Sequence, residues 1–251
     1  ALPTVILGFL AGLWFAPWVE ANLADLFLMF IIIPPGLFAF AWLWHKAQLS
    51  DKLNIAEGWE PLLLVPALLG LGVAAMWIAD PVQGALFGGD LREWLSNEAG
   101  ISYDQRNAMV VGFAMGFAVI PTIFSIAEDA VFGVPASLSQ GSLALGATPW
   151  QTLLFIVLPT ASPGIFSALM IGLGRAVGET MIVLMATGNT PVMDWNLFEG
   201  MRTLAANIAV EMPESEVNSS HYRILFLAGL VLFLFTFVVN TGAELIRQRL
   251  R

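Results

Sequence analysis

Six blocks of apolar sequence, at or near membrane-spanning length and each bounded by polar residues, leave this chain few folds to adopt. They cover residues 4–18, 23–44, 61–79, 108–127, 163–187 and 224–243, the first of them short. A helix needs roughly 17–25 apolar residues to cross the hydrocarbon core. Backbone polar groups in lipid must be paired internally, so only helices and closed barrels span a membrane. Barrel strands alternate apolar and polar residues over about ten positions, and Leu62–Leu71 and Ile224–Val239 do not alternate. The expected fold is therefore all-α, a polytopic transmembrane helical bundle. Only 12% of the 251 residues are charged, roughly half the share usual in a soluble domain, and mean hydropathy is +0.79. Trp14, Trp18, Trp42, Trp44, Trp59 and Trp77 fall at the ends of apolar blocks, as interfacial aromatic belts do. Pro34-Pro35 is expected to kink or break the second helix, since neither residue supplies an N–H.

Several chemistries are excluded. The chain has no cysteine, so it has neither disulfides nor thiolates. Its two histidines, His45 and His221, stand in no metal-binding spacing, and no metal site or cofactor is expected. Lys46 and Lys52 are the only lysines, and neither follows a glycine-rich phosphate loop. If ATP drives this chain, another chain hydrolyses it; the chain itself is not expected to be an enzyme. A net charge of −9 accompanies the expectation of no nucleic-acid partner. The start at Ala1-Leu2-Pro3, without Met or the basic region of a signal peptide, reads as a fragment lacking upstream helices.

Lys and Arg counts set the orientation. Lys46, Lys52, Arg247, Arg249 and Arg251 fall on one side of the alternating spans; Arg92, Arg106, Arg202 and Arg223 fall on the other. The dense arginines after the last span place that side in the cytoplasm. The chain then divides into residues 1–80, three spans with a cytoplasmic loop at 45–60; an outer segment, 81–107; and a core, 108–251. In the core, spans 108–127, 163–187 and 224–243 flank a cytoplasmic loop at 128–148 and an outer loop at 189–223.

Two stretches carry the functional signal. In the loop 128–148, small residues from Ser137 to Leu145 make a short helix that ends at Gly146, a residue suited to the left-handed C-terminal position. Thr148 can cap the next helix with Pro149 in its first position. Such a helix can lie in a groove on a partner or be an ordinary connection. The second stretch is Pro163–Gly188, with Arg175 about 12 residues past Pro163 and so roughly 18 Å along the axis, near mid-bilayer. A charge there costs about 2.5–3.5 kcal/mol and marks function by default. Glu179, four residues on, would share a helix face with Arg175 and could pair with it. Either the two form a structural ion pair, or Arg175 is an oxyanion site, its planar fork matching phosphate-like oxygens while Glu179 keeps the anion from being trapped. Thr180 and Thr187 add hydroxyls to this span.

The spacing Gln140-Gly141-Ser142, Gly146, Ile156-Val157-Leu158-Pro159 resembles the E-A-A-x3-G-x9-I-x-L-P loop of ABC-importer permeases. R-A-V-G-E-T-M at Arg175–Met181, S-I-A-E-D-A at Ser125–Ala130 and L-A-L-G-A-T at Leu143–Thr148 resemble the phosphate-importer permeases within that family. The likeness extends over Pro3–Pro17, Arg106–Thr148 and Arg202–Glu244. Residues 20–80, with two further spans, are longer than the family pattern. The resemblance implies a type I ABC importer permease fold in the bacterial inner membrane, in contact with membrane lipid. Implied partners are a second phosphate permease subunit, an ATP-binding subunit dimer and a periplasmic phosphate-binding protein. It further implies ATPase coupling through Glu128, Asp129, Gln140, Gly141, Ser142, Gly146 and Ala147, and a substrate pathway through Arg175, Glu179 and Thr180. The motif's glutamate is Gln140 here and its alanines are Gly141 and Ser142, which removes one charge from the coupling loop. Acidic outer loops would repel free phosphate, consistent with delivery by a binding protein. An ATP-independent anion channel or secondary oxyanion transporter is the alternative from the residues alone, and a regulatory subunit with a structural Arg175–Glu179 pair is a third.

Overall fold

The computed structural model describes residues 3–46, 60–191 and 193–249, and the regular structure among them is helical, without strands. The loop residues 47–59, with Lys52, and the terminal Arg251 lie outside the described residues. Among the described residues six helices are long and apolar enough to cross a membrane: Thr4–Ala21, Leu23–Lys46, Leu64–Asn97, Ala108–Phe132, Pro149–Val177 and Ser220–Ile246. The chain forms two compact units, one of residues 1–15 with 106–251 and one of residues 16–105.

The larger unit begins with α1 (Thr4–Leu10), which runs into a π-helical turn, Ala11–Phe15. Numbering continues from the smaller unit's four helices to α6 (Ala108–Phe132), α7 (Ala136–Ala144) and α8 (Pro149–Thr152). A π-helical turn at Leu153–Val157 joins α8 to α9 (Leu158–Val177). Then come α10 (Met181–Ala186), α11 (Leu204–Glu211) and α12 (Ser220–Arg249). The helix expected to open at Thr148-Pro149 is present, but the span expected over 163–187 is broken within its length. Helical structure starts at Pro149, ends at Val177 and resumes at Met181. Pro159 lies inside this continuous helix, directly after the π-helical turn, an irregularity of the kind at which a membrane helix accommodates a missing N–H.

Helix α9 packs between α6 and α12. Its small residues Ala161, Ala168 and Gly172 are buried. A Cβ at Gly172 would lie 2.5 Å from Ile123 Cγ1, so the two helices approach as closely as a missing side chain allows. The same logic seats α10 on α1. A Cβ at Gly8 would lie 3.0 Å from the Met181 carbonyl oxygen, and one at Gly12 would run into the Met185 carbonyl oxygen. Ile182, Val183 and Ala186 of α10 are buried.

Polar ties close one end of this unit. Asn107, fully buried, caps α6 by accepting the Val110 N–H at 3.0 Å. The Ala108 and Met109 amides donate to the Glu199 and Leu197 carbonyls, and the Gly188 amide to Arg106. Arg202 donates to the Asn189 carbonyl and side-chain oxygen, to Asn207 Oδ1 and to Glu211 Oε1 at 2.8 Å. That arginine is an internal clasp of the 189–211 segment, not a free surface charge.

The smaller unit consists of α2 (Ala16–Ala21), α3 (Leu23–Lys46), α4 (Glu60–Leu86) and α5 (Leu91–Asn97). α3 and α4 form a hairpin. α3 runs through Pro34-Pro35 as one helix, so of the expected kink or break the break does not occur. Membrane helices tolerate such prolines because neighbouring groups make up for the freed carbonyls, and α4 packs along α3 here: a Cβ at Gly36 would lie 2.6 Å from Leu71 Cδ2. Glu20 joins α2 to α5, accepting from Arg92 Nη1 at 2.6 Å. Trp14, Trp42 and Trp77 are exposed side chains on the spans, not core tryptophans.

Gly12→Ala is expected to lower the thermal unfolding midpoint of the purified protein in detergent, with the loss of about 1–3 kcal/mol typical of overpacking. Gly70→Ala, whose methyl would meet nothing within 4 Å, should be neutral or stabilising by up to ~1 kcal/mol. Equal shifts for the two variants would refute the close approach of α1 and α10.

Candidate functional site

Arg175 sits in the last turn of α9. Its Nη1 donates to Thr122 Oγ1 on α6 at 3.0 Å. Glu179 does not pair with it: no ion pair joins the two among the described residues. The i, i+4 relation needs a continuous helix, and α9 ends at Val177 with Gly178 as its C-terminal cap. Glu179 instead serves the next helix. Its Oε1 accepts the Met181 and Ile182 amides at 3.2 and 3.3 Å, two of the N–H groups that open α10. Thr180 Oγ1 donates to the Gly178 carbonyl at 3.3 Å. Thr187 is buried and ties loop backbone, donating to the Met201 carbonyl at 2.8 Å.

Arg175 lines a cavity of about 350 Å³ between α9 and α12. Ser167 and Gly174 contribute from α9, and Asn240, Ala243 and Glu244 from α12. Gly174 is what admits Asn240, whose Oδ1 would lie 3.3 Å from a Cβ at that position. Sequence reasoning missed Thr122, Asn240 and Glu244. The signal was present in Asn240-Thr241-Gly242-Ala243-Glu244, a polar run in the last apolar block, read there as the block's end. Of the expected pathway residues, the cavity takes Arg175; Glu179 and Thr180 belong to the helix break beside it.

The 128–148 loop folds from local signals. The helix expected over Ser137–Leu145 is α7, Ala136–Ala144, and it buries no residue. Gly146 has φ +91°. Its amide donates to Leu143, and the Ala147 amide reaches back to Ser142 at 3.2 Å, the two bonds of a Schellman turn. Thr148 then opens α8 with a capping box: its Oγ1 accepts the Gln151 amide at 3.2 Å, and Gln151 Oε1 accepts the Thr148 amide at 2.9 Å. Ser142 and Thr152 hydroxyls share a 3.0 Å hydrogen bond that ties α7 to α8. Glu128, Asp129, Gln140, Gly141 and Gly146 are exposed, while Ser142 and Ala147 are half-buried. Leu138, Leu143, Leu145 and Trp150 are also exposed, so the turn presents apolar side chains.

A family model for the binding-protein-dependent transport system inner membrane component matches residues 4–251. The chain belongs to this family. It is a multi-pass inner-membrane permease, a transporter component rather than an enzyme. The permease is 34% identical over 217 residues to the phosphate transport system permease protein PstC of Haemophilus influenzae, covering 84% of this chain and 68% of the relative. It is 29% identical over 239 residues to the protein of that name from Pasteurella multocida, covering 92% and 74%. With the probable ABC transporter permease protein YqgH of Bacillus subtilis it shares 39% identity over 120 residues, covering 48% and 39%. Across these three relatives the chain thus spans between 39% and 74% of the relative's length. No solved structure matches it.

Two caps hold the permease's exposed turn, and each is open to test. Thr148→Ala should speed hydrogen exchange of the Gln151 amide about fivefold, the equivalent of the ~1 kcal/mol a helix cap supplies. Unchanged exchange would mean that the capping box does not hold α8.

Proposed function

We propose that this permease passes inorganic phosphate across the bacterial inner membrane, driven by ATP hydrolysis on a separate subunit. The observation that carries this reading is Arg175: a permanently charged fork that lines a cavity between two membrane-spanning helices. The names of its relatives in Haemophilus influenzae and Pasteurella multocida supply the substrate. A guanidinium suits phosphate oxygens as a bidentate donor, and its hydrogen bond to Thr122 through Nη1 leaves further N–H groups for an anion.

The partners follow from the surfaces. Arg175 is exposed in the isolated chain, and a charge facing lipid is costly. A second permease subunit covering the α9–α12 cavity would turn that exposure into an enclosed path. The α7 turn, with no buried residue of its own, is the docking element for a dimer of ATP-binding subunits through Glu128, Asp129, Gln140, Gly141, Ser142, Gly146 and Ala147. Gln140 makes that contact without the motif's charge, so shape and the apolar residues Leu138, Leu143 and Leu145 dominate it. A periplasmic phosphate-binding protein delivers the anion to the opposite face. Glu179 and Thr180 act at the break, where they fix the end of α9 and hence the position of Arg175. The exposed turn favours the ATP-driven reading over an autonomous channel, which has no use for it.

Uptake of radiolabelled phosphate into vesicles carrying the full-length protein and its partners tests the reading. Arg175→Gln should lower ATP-driven uptake about ten- to hundredfold, the consequence of losing a charged hydrogen bond of ~1.5–3 kcal/mol. Undiminished uptake would reduce Arg175 to a structural residue, and uptake without ATP would favour the channel. Glu179→Gln keeps an oxygen for the α10 amides and should retain uptake within about threefold, as interchangeable caps do; Glu179→Leu removes that acceptor and should not. Gly146→Arg should abolish co-purification with the ATP-binding subunit.

A further inference from the structure

The cavity that Arg175 lines also holds a carboxylate. Glu244 stands on its α12 wall with Asn240, and Ser167 on the α9 wall. Glu244 and Asn240 also line a neighbouring cavity of about 460 Å³ with Thr236 and Thr241. The Arg175 cavity thus offers donors from a guanidinium, an amide and a hydroxyl, and an acceptor from Glu244. No ion pair joins Arg175 and Glu244 among the described residues. Glu244 Oε1 accepts from Gln248 Nε2 at 3.1 Å, one turn further along α12. Glu244 lies four residues beyond Asn240, about 6 Å along the axis, towards the end of α12 away from its Ser220 start. An anion held at Arg175 and Asn240 has the carboxylate next on its way.

An ionised carboxylate only accepts hydrogen bonds. Facing a fully deprotonated oxyanion it only repels; facing one that still carries O–H groups it gains a charge-assisted hydrogen bond. Phosphate and arsenate carry such O–H groups at neutral pH. Sulfate has the same shape and carries none. We infer that Glu244 is a selectivity residue, accepting the O–H of a protonated oxyanion held by Arg175 and rejecting sulfate. The anion keeps its proton throughout, and no bond is made or broken. This rests on the reading of Arg175 as the anion-binding residue and adds to it a second residue with the opposite charge.

The test is binding of radiolabelled phosphate at pH 7 to the purified complex of both permeases and the ATP-binding subunits in lipid nanodiscs. The binding protein is omitted so that its own selectivity does not intervene. In the wild type, arsenate should displace phosphate at comparable concentrations and sulfate only at about tenfold higher or more, as a site built for a substrate O–H rejects an analogue without one. Glu244→Gln presents an N–H donor, so sulfate should compete within about threefold of phosphate. Glu244→Asp keeps the carboxylate and should keep the discrimination. Sulfate competing as well as arsenate in the wild type, or unchanged discrimination in Glu244→Gln, overturns the inference. Arg175→Gln separates the two levels: lost phosphate binding there, with unchanged discrimination in Glu244→Gln, sinks the role of Glu244 alone. Undiminished phosphate binding in Arg175→Gln sinks the reading of Arg175 and the inference with it. If Glu244→Gln does not assemble, the wild-type sulfate competition and Glu244→Asp decide.

Discussion

The interruption between Val177 and Met181 governs how the rest of the larger unit is arranged. Inside a bilayer an unpaired backbone N–H costs several kcal/mol, so a span can break only where protein groups replace the lost bonds. Here the Glu179 carboxylate takes the amides of Met181 and Ile182, and the C-terminal cap at Gly178 closes α9. The second half, α10, survives as a six-residue helix because it is buried against α1, where Gly8 and Gly12 let two backbones meet. The break sets the chemistry of the site. In a continuous helix Arg175 and Glu179 would neutralise each other; across the break, the carboxylate is spent on the backbone and the guanidinium turns to Thr122 and the cavity.

What could be read from the sequence was what local chemistry determines. Apolar block length gave the spans. The α7 turn was legible almost residue by residue, because Gly146, Thr148, Pro149 and Gln151 each act on their immediate neighbours. The broken fifth span was not legible. Apolar residues continue on both sides of Gly178, and what stabilises the short helix α10 lies on α1, far away in sequence. Two missing N–H groups at Pro34-Pro35 allow either a kink or a break, and local sequence does not choose between them: α3 stays one helix, with α4 packed along it. Glu244 escaped notice because a carboxylate near the end of an apolar block reads as the membrane boundary, and only the packing of α9 on α12 shows that it shares a cavity with Arg175.

One continuous run of helix joins the turn to the cavity. From Pro149 to Val177 the chain is helical throughout, with the π-helical turn at Leu153–Val157 its one irregularity. Arg175 lies 26 residues beyond Pro149, about 40 Å along the axis. A displacement applied at the Gly146–Thr148 turn would reach Arg175 along a helix that meets its neighbours closely at glycines, Gly172 on Ile123 and Gly174 on Asn240. Small-residue interfaces let helices slide or rock past one another without repacking large side chains, whereas interdigitated cores resist continuous deformation. The hydrogen bond to Thr122 holds the guanidinium to α6. Moving α9 against α6 would shift the charge between Thr122 and the groups on α12. Those glycines bring α9 close to α6 and α12, and Arg175, in its last turn, stands between Thr122 and the α12 wall of the cavity.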